Sequence, residues 1–299
     1  MDSTSRSVFH RIRASDRGRA ERFEPDYPLV FFILFSRISI GFGFAGAFLY
    51  FLKTSLSFYP VLCAFLLMVL ATILSLTHLA TPFRFYRVLR NPLSHLTLEI
   101  YLSSLYLGVL FLVLSNEVVH VGRFYNISAV LIASSAFAFL LGTAFAYRFV
   151  SHPLWNTMRL FPCYLSNGVA FAFFILSLAS LIYSRGDSTI YLLSGALSVT
   201  AQLISAYYYI SFVRETSAGA WVYLARDRSG LSYWWLILNF VLPLAFSCLI
   251  PIAAPSRVFV ICGVSVILLS MALGVFVERL LFFFVEKPVF FFNTELRDS

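Results

Sequence analysis

The chain has 299 residues, of which 60% are hydrophobic and only 12% charged, and its mean hydropathy is +0.85. Globular domains carry about 25% charged and about 45–50% apolar residues. A fold of this length cannot hide so much apolar surface from water, which excludes a soluble enzyme, a disordered chain and a free nucleic-acid binder and makes lipid the solvent. The net charge of +8 then reads as basic loops that set topology and touch anionic lipid.

Residues 1–27 form a polar tail, with six Arg from Arg6 to Arg22 among Asp2, Asp16, Glu21, Glu24 and Asp26. It is not a signal peptide, because the apolar run after it is too long for a secretion core. Runs long enough to cross about 30 Å of hydrocarbon then recur at eight places: 28–52, 57–77, 96–115, 126–147, 162–183, 189–212, 231–253 and 257–281. They are continuous rather than alternating, which argues against a β-barrel. The expected architecture is all-α and polytopic: a tail over 1–27, an eight-helix membrane domain over 28–283 and a C-terminal tail over 284–299. The longest gaps, 78–95 and 213–230, are too short to fold around a core of their own.

With eight spans, both termini share one face. Seventeen Lys and Arg fall on that face, only Lys53, Arg123, Arg185 and Arg257 on the other, and Arg37 lies inside the first span. Positive-inside logic puts both termini in the cytoplasm. Moving the count by one span destroys the segregation.

Polar residues out of place mark candidate sites. Arg37 follows Pro28 by nine residues, about 13 Å into the membrane at 1.5 Å per residue, where an Arg costs about 2.5–3.5 kcal/mol on insertion scales. Either it snorkels to the face, or it makes a buried ion pair or ligand contact; Glu99 and Glu278 are the candidate partners. His78 closes the second span on the same face, as an interfacial imidazole or as a proton-accepting ligand contact. Arg84, Arg87 and Arg90 follow at every third residue, which groups them on one face of a short helix, between Pro82 and Pro92, which break continuous helix. Tyr147-Arg148 and Pro153-Leu154-Trp155-Asn156-Thr157 form a third cluster. The four cysteines, Cys63, Cys163, Cys248 and Cys262, show no metal-binding or redox spacing and read as small apolar residues.

These positions sort the function classes. A haem protein needs paired His deep in facing helices, whereas His10, His78, His95, His120 and His152 lie in the tail, in loops or at span ends. A secondary transporter places polar groups near the midplane and repeats its halves; Thr143, Asn167, Gln202 and Asn239 are few and neutral, and no four-plus-four repeat is visible. It stays an alternative, as does a purely structural anchor. A polar cluster at one face, walled by Phe and Leu, suits an amphipathic lipid-soluble ligand. Quinol fits: His accepts the proton released on oxidation, and Arg hydrogen-bonds a quinone oxygen.

Three stretches carry a resemblance: Tyr27-Pro28-Leu29-Val30-Phe31-Phe32 leading to Gly41; His78-Leu79-Ala80-Thr81-Pro82-Phe83-Arg84 running through Arg87, Asn91 and Ser94 to Glu99; and Ala146-Tyr147-Arg148 with Pro153-Leu154-Trp155-Asn156-Thr157. A weaker fourth is Arg279-Leu280-Leu281-Phe282-Phe283. With them the chain resembles the membrane-anchor subunit of dimethyl sulfoxide reductase, within the wider polysulfide reductase and formate-dependent nitrite reductase anchor superfamily. The resemblance implies eight spans in a bacterial or archaeal plasma membrane. It also implies neither haem nor iron–sulfur cluster on this chain, and menaquinol as the bound substrate. It implies a quinol site served by His78, the expected catalytic residue; Arg37 and Arg84 (quinone oxygen or ion pair) and Glu99 (proton exit or partner of Arg37) are the further quinol contacts expected from the residues themselves. The implied partners are a four-cluster iron–sulfur subunit and a molybdopterin catalytic subunit, with Arg87, Arg148, Trp155, Asn156, Glu278 and Arg279 as docking or structural residues. Departures are Ala80, where the family usually has Gly; Arg37, where it has Gln; and Val275, where it has Glu one turn before the Arg, with Glu278 here directly before Arg279. Arg37 and Glu278 are therefore expected as a paired exchange.

Overall fold

The computed structural model describes residues 27–77, 95–119, 124–146, 157–183, 188–216, 229–253 and 256–297. Of these, 96% are helical and none is in a strand. Helix α1 (Tyr27–Phe51) starts with Pro28 in its first turn, where a missing N–H goes unnoticed. It ends in a Schellman motif: the Thr54 N–H donates to the Leu49 carbonyl (3.1 Å) and the Lys53 N–H to that of Tyr50 (2.9 Å). Lys53 sits at the left-handed position with φ 54°, where glycine is the usual residue. A short 3₁₀ turn, Ser55–Ser57, leads into α2 (Phe58–Thr77). Then come α3 (His95–Val119), α4 (Tyr125–Ala146), α5 (Leu160–Ile182) and α6 (Ser188–Thr216).

Helix α7 is composite: an α segment Ser229–Leu236, a π turn Ile237–Val241 and a second α segment Leu242–Ala253. The cause is Pro243. It has no N–H to give the carbonyl of Asn239, four residues back, and its ring crowds that carbonyl. The ladder widens instead, and the Leu242 N–H bonds the Ile237 carbonyl five residues back. Helix α8 (Arg257–Arg297) runs past the expected span end at 281, so most of the segment read as a C-terminal tail continues the helix.

Eight helices among the described residues are long and apolar enough to cross a membrane; the protein is an all-α, multi-pass membrane protein. Helix α1 is the hub, packing on α2, α4, α5 and α8, while α3 pairs with α4, α5 with α6, and α7 with α6 and α8. Large apolar side chains such as Leu66, Leu112, Leu197 and Leu269 face outward, as expected where the surroundings are lipid. A tyrosine side chain of α3 reaches α1 at a glycine. The Tyr106 hydroxyl of α3 donates to the Ser39 carbonyl of α1 at 3.0 Å, and a Cβ on Gly43, one turn along, would collide with that hydroxyl. The Ser39 hydroxyl in turn donates to the Ala64 carbonyl of α2 at 2.7 Å, tying three helices at one level.

Candidate functional site

The antiparallel order of eight spans returns the end of α8's membrane segment to the face where α1 and α5 begin. Arg37 on α1, Tyr164 in the first turns of α5 and Glu278-Arg279 near the end of α8 therefore share a level. The Arg37 Nη1 donates to the Glu278 Oε1 at 2.9 Å, and the guanidinium carbon lies 3.9 Å from the Tyr164 ring centroid. Arg279 brings its Nη2 to 3.8 Å from the same carboxylate oxygen and its guanidinium to 4.6 Å from the same ring. Arg37 is 3% exposed and Arg279 is fully buried. Two guanidiniums thus share one aromatic ring and one carboxylate, and the ring quadrupole adds attraction that desolvation strengthens.

Glu99 on α3, 6% exposed, faces the Thr143 hydroxyl of α4 and the Arg279 charge. Cys163 and Tyr209 complete the surroundings; Arg37, Glu278 and Arg279 act on Cys163, and Tyr164, Glu278 and Arg279 on Tyr209. Two formal cations and two formal carboxylates cancel, which is how a buried Arg becomes tolerable in a bilayer. The balance leaves capacity unused. No hydrogen-bond partner meets the Arg37 Nε and Nη2, the Glu278 Oε2, the Glu99 Oε1 or the Tyr164 hydroxyl among the described residues. Buried polar atoms are normally satisfied, so such a group of donors and acceptors marks a place for a polar ligand head.

Of the residues expected at the site, Arg37, Glu99, Glu278 and Arg279 come together, with Arg37 paired to Glu278 and Glu99 beside Arg279. His78, Arg84, Arg87, Arg148, Trp155 and Asn156 lie outside the described residues. Sequence reasoning passed over Tyr164, because an aromatic residue near an interface is expected anyway; its register with Arg37 and Arg279 at one membrane level was the available signal. Deeper in the bundle, Asn167 of α5 donates to the Gln202 Oε1 of α6 at 3.3 Å, and Asn239 of α7 is fully buried. The four cysteines are free thiols.

No family model, curated protein or solved structure matches this chain.

Proposed function

We propose that the chain is the membrane-anchor subunit of a dimethyl sulfoxide reductase-like molybdopterin oxidoreductase in the plasma membrane of a bacterium or archaeon, with both termini in the cytoplasm. It binds menaquinol, oxidises it and passes the two electrons to an iron–sulfur partner, while two protons leave the site.

The observation that carries the reading is the buried Arg37–Glu278–Arg279–Tyr164 cluster at one face, with its unused donors and acceptors. The His78-to-Glu99 and Tyr147-to-Thr157 stretches support it through their resemblance to that family. A quinol head is uncharged, has hydroxyls to donate and becomes a carbonyl acceptor on oxidation. Arg37, with Nε and Nη2 to spare, holds the oxygen as negative charge develops on it. Glu99 and Glu278 each offer an oxygen that meets no other hydrogen-bond donor among the described residues. By resemblance, His78 is the first proton acceptor and Arg84 a second contact to the head. The iron–sulfur clusters belong to the partner, so this chain's task is to place the ring, exclude water and take up protons.

In the assembled complex, His78→Ala retains the partner subunits and loses quinol-dependent reduction, while reduction driven by an artificial dye at the partner's clusters stays intact. Normal quinol turnover in that variant overturns the assignment.

A further inference from the structure

Asn239 is a second polar element of the membrane interior, and the ion cluster does not account for it. It lies in the π turn that Pro243 imposes on α7, a kind of distortion common at functional sites. It is fully buried, and neither its Nδ2 nor its Oδ1 has a hydrogen-bond partner among the described residues. Inside a bilayer, no water stands ready to relieve that loss.

Its position is fixed by α8. The Asn239 amide lies flat against Gly274: a Cβ there would stand 2.5 Å from Asn239 Cγ and Nδ2. Gly274 and Glu278 are four residues apart, so they stack on one face of α8, about 6 Å apart along the axis. The same face thus presents two levels of unused polar atoms. The outer level, nearer the membrane surface, is ionic: Glu278 Oε2 with Arg37 Nε and Nη2. The inner level is a neutral amide one turn deeper.

We infer that Asn239 is the inner anchor for the ligand whose outer end meets Arg37 and Glu278, and that this ligand is a ring carrying two oxygens para to each other. The inference rests on the quinol reading above and adds its geometry. Para oxygens stand at opposite ends of one six-membered ring, and a hydrogen bond at each end adds about 2.7–3.2 Å of reach, so one ring set along α8 bridges the amide level and the ionic level. An amide suits the inner oxygen because it both donates and accepts. Its Nδ2 serves the carbonyl of the oxidised ring and its Oδ1 the hydroxyl of the reduced one, with no charge buried at that depth. Gly274 belongs to the same device, since any side chain there displaces the amide.

The test uses the full chain in lipid nanodiscs, with Trp fluorescence as the reporter; Trp235 lies one turn from Asn239. The probes are a short-chain 1,4-naphthoquinone and, in competition with it, a 1-naphthol bearing the same substituents and one oxygen fewer. Wild type binds the two-oxygen ring about tenfold more tightly, the discrimination expected of one good buried hydrogen bond. Asn239→Leu, similar in volume, loses that factor and leaves the naphthol affinity unchanged. Gly274→Ala, which keeps the amide but shifts it, gives the same selective loss and serves where the first variant does not fold. Equal weakening of both probes, or of neither, overturns the inner anchor while leaving the quinol reading in place. If Arg37→Gln leaves both affinities at the wild-type value, or wild type binds neither probe, the quinol reading itself fails and takes this inference with it.

Discussion

Helices α1 and α2 are neighbours in sequence and in space, yet they meet their surroundings in opposite ways. The more apolar one, α2, has mean hydropathy 2.4 and only 28% of its membrane window buried; α1, at 1.9, is 61% buried. Water-soluble folds reverse that order. Lipid is as apolar as leucine, so nothing drives an oily helix inward, and the interior goes to helices with small residues for close packing and polar groups that need partners. Helix α1 has both: Gly41, Gly43 and Gly46, and Ser36, Arg37 and Ser39 buried beside them. In this pair, small and polar residues rather than an oily sequence mark the buried helix, and Arg37 of the candidate site lies on it.

The sharpest way to break that comparison is to remove the charge that keeps Arg37 comfortable. Glu278→Leu leaves buried guanidinium charge without its carboxylate and is expected to cost about 3–5 kcal/mol, read as a lowered melting temperature of the full chain in detergent. Adding Arg37→Gln restores part of the loss, with a coupling of about 0.5–3 kcal/mol. A double variant no more stable than Glu278→Leu alone contradicts the pairing.

A smaller effect separates the two helices directly. Gly43→Ala pushes a methyl group into the Tyr106 hydroxyl and is expected to cost about 1–3 kcal/mol by overpacking. Leu66→Ala on α2 removes more atoms, but from a residue 56% exposed toward lipid, and is expected to stay within about 0.5 kcal/mol of wild type. Equal losses from the two changes would mean that the hub is misassigned. The smallest expected change is a gain. Lys53 holds a left-handed conformation that costs a side-chain-bearing residue about 1 kcal/mol, and Lys53→Gly raises the melting temperature without touching the site.

How much of this was legible in the sequence follows from the same physics. The eight spans were readable because the bilayer demands long apolar runs, and except for the end of α8, which runs on from 281 to Arg297, their observed ends fall within a few residues of the expected ones. The larger shifts came where helices outlast the hydrocarbon. Helix α3 continues through Asn116 and Glu117 to Val119 and α6 through Arg214 to Thr216, because polar residues at the interface are no obstacle to backbone hydrogen bonding. The π turn in α7 was not read, although Pro243 four residues after Asn239 was its signal. Arg37 was conspicuous as a lone charge in an apolar run; of its two candidate partners the expected paired exchange pointed to Glu278, and the packing brings those two side chains together. Tyr164 went unnamed and Asn239 counted only as one of a few neutral groups in the spans, because an aromatic near an interface and a neutral amide in a span are ordinary one at a time. Their significance comes from the helices that meet them.

The central claim is that a quinol ring seats against α1, α5 and α8 at the buried charges rather than dissolving along the lipid-facing helices. Photolabelling of the full chain in membranes with an azido-naphthoquinone, followed by peptide mapping, tests this most directly. The account predicts that the label falls around Arg37, Tyr164 and Gly274–Arg279, and that excess unlabelled naphthoquinone displaces it. Label spread over the outward faces of α2 and α6, undiminished by competitor, would contradict it.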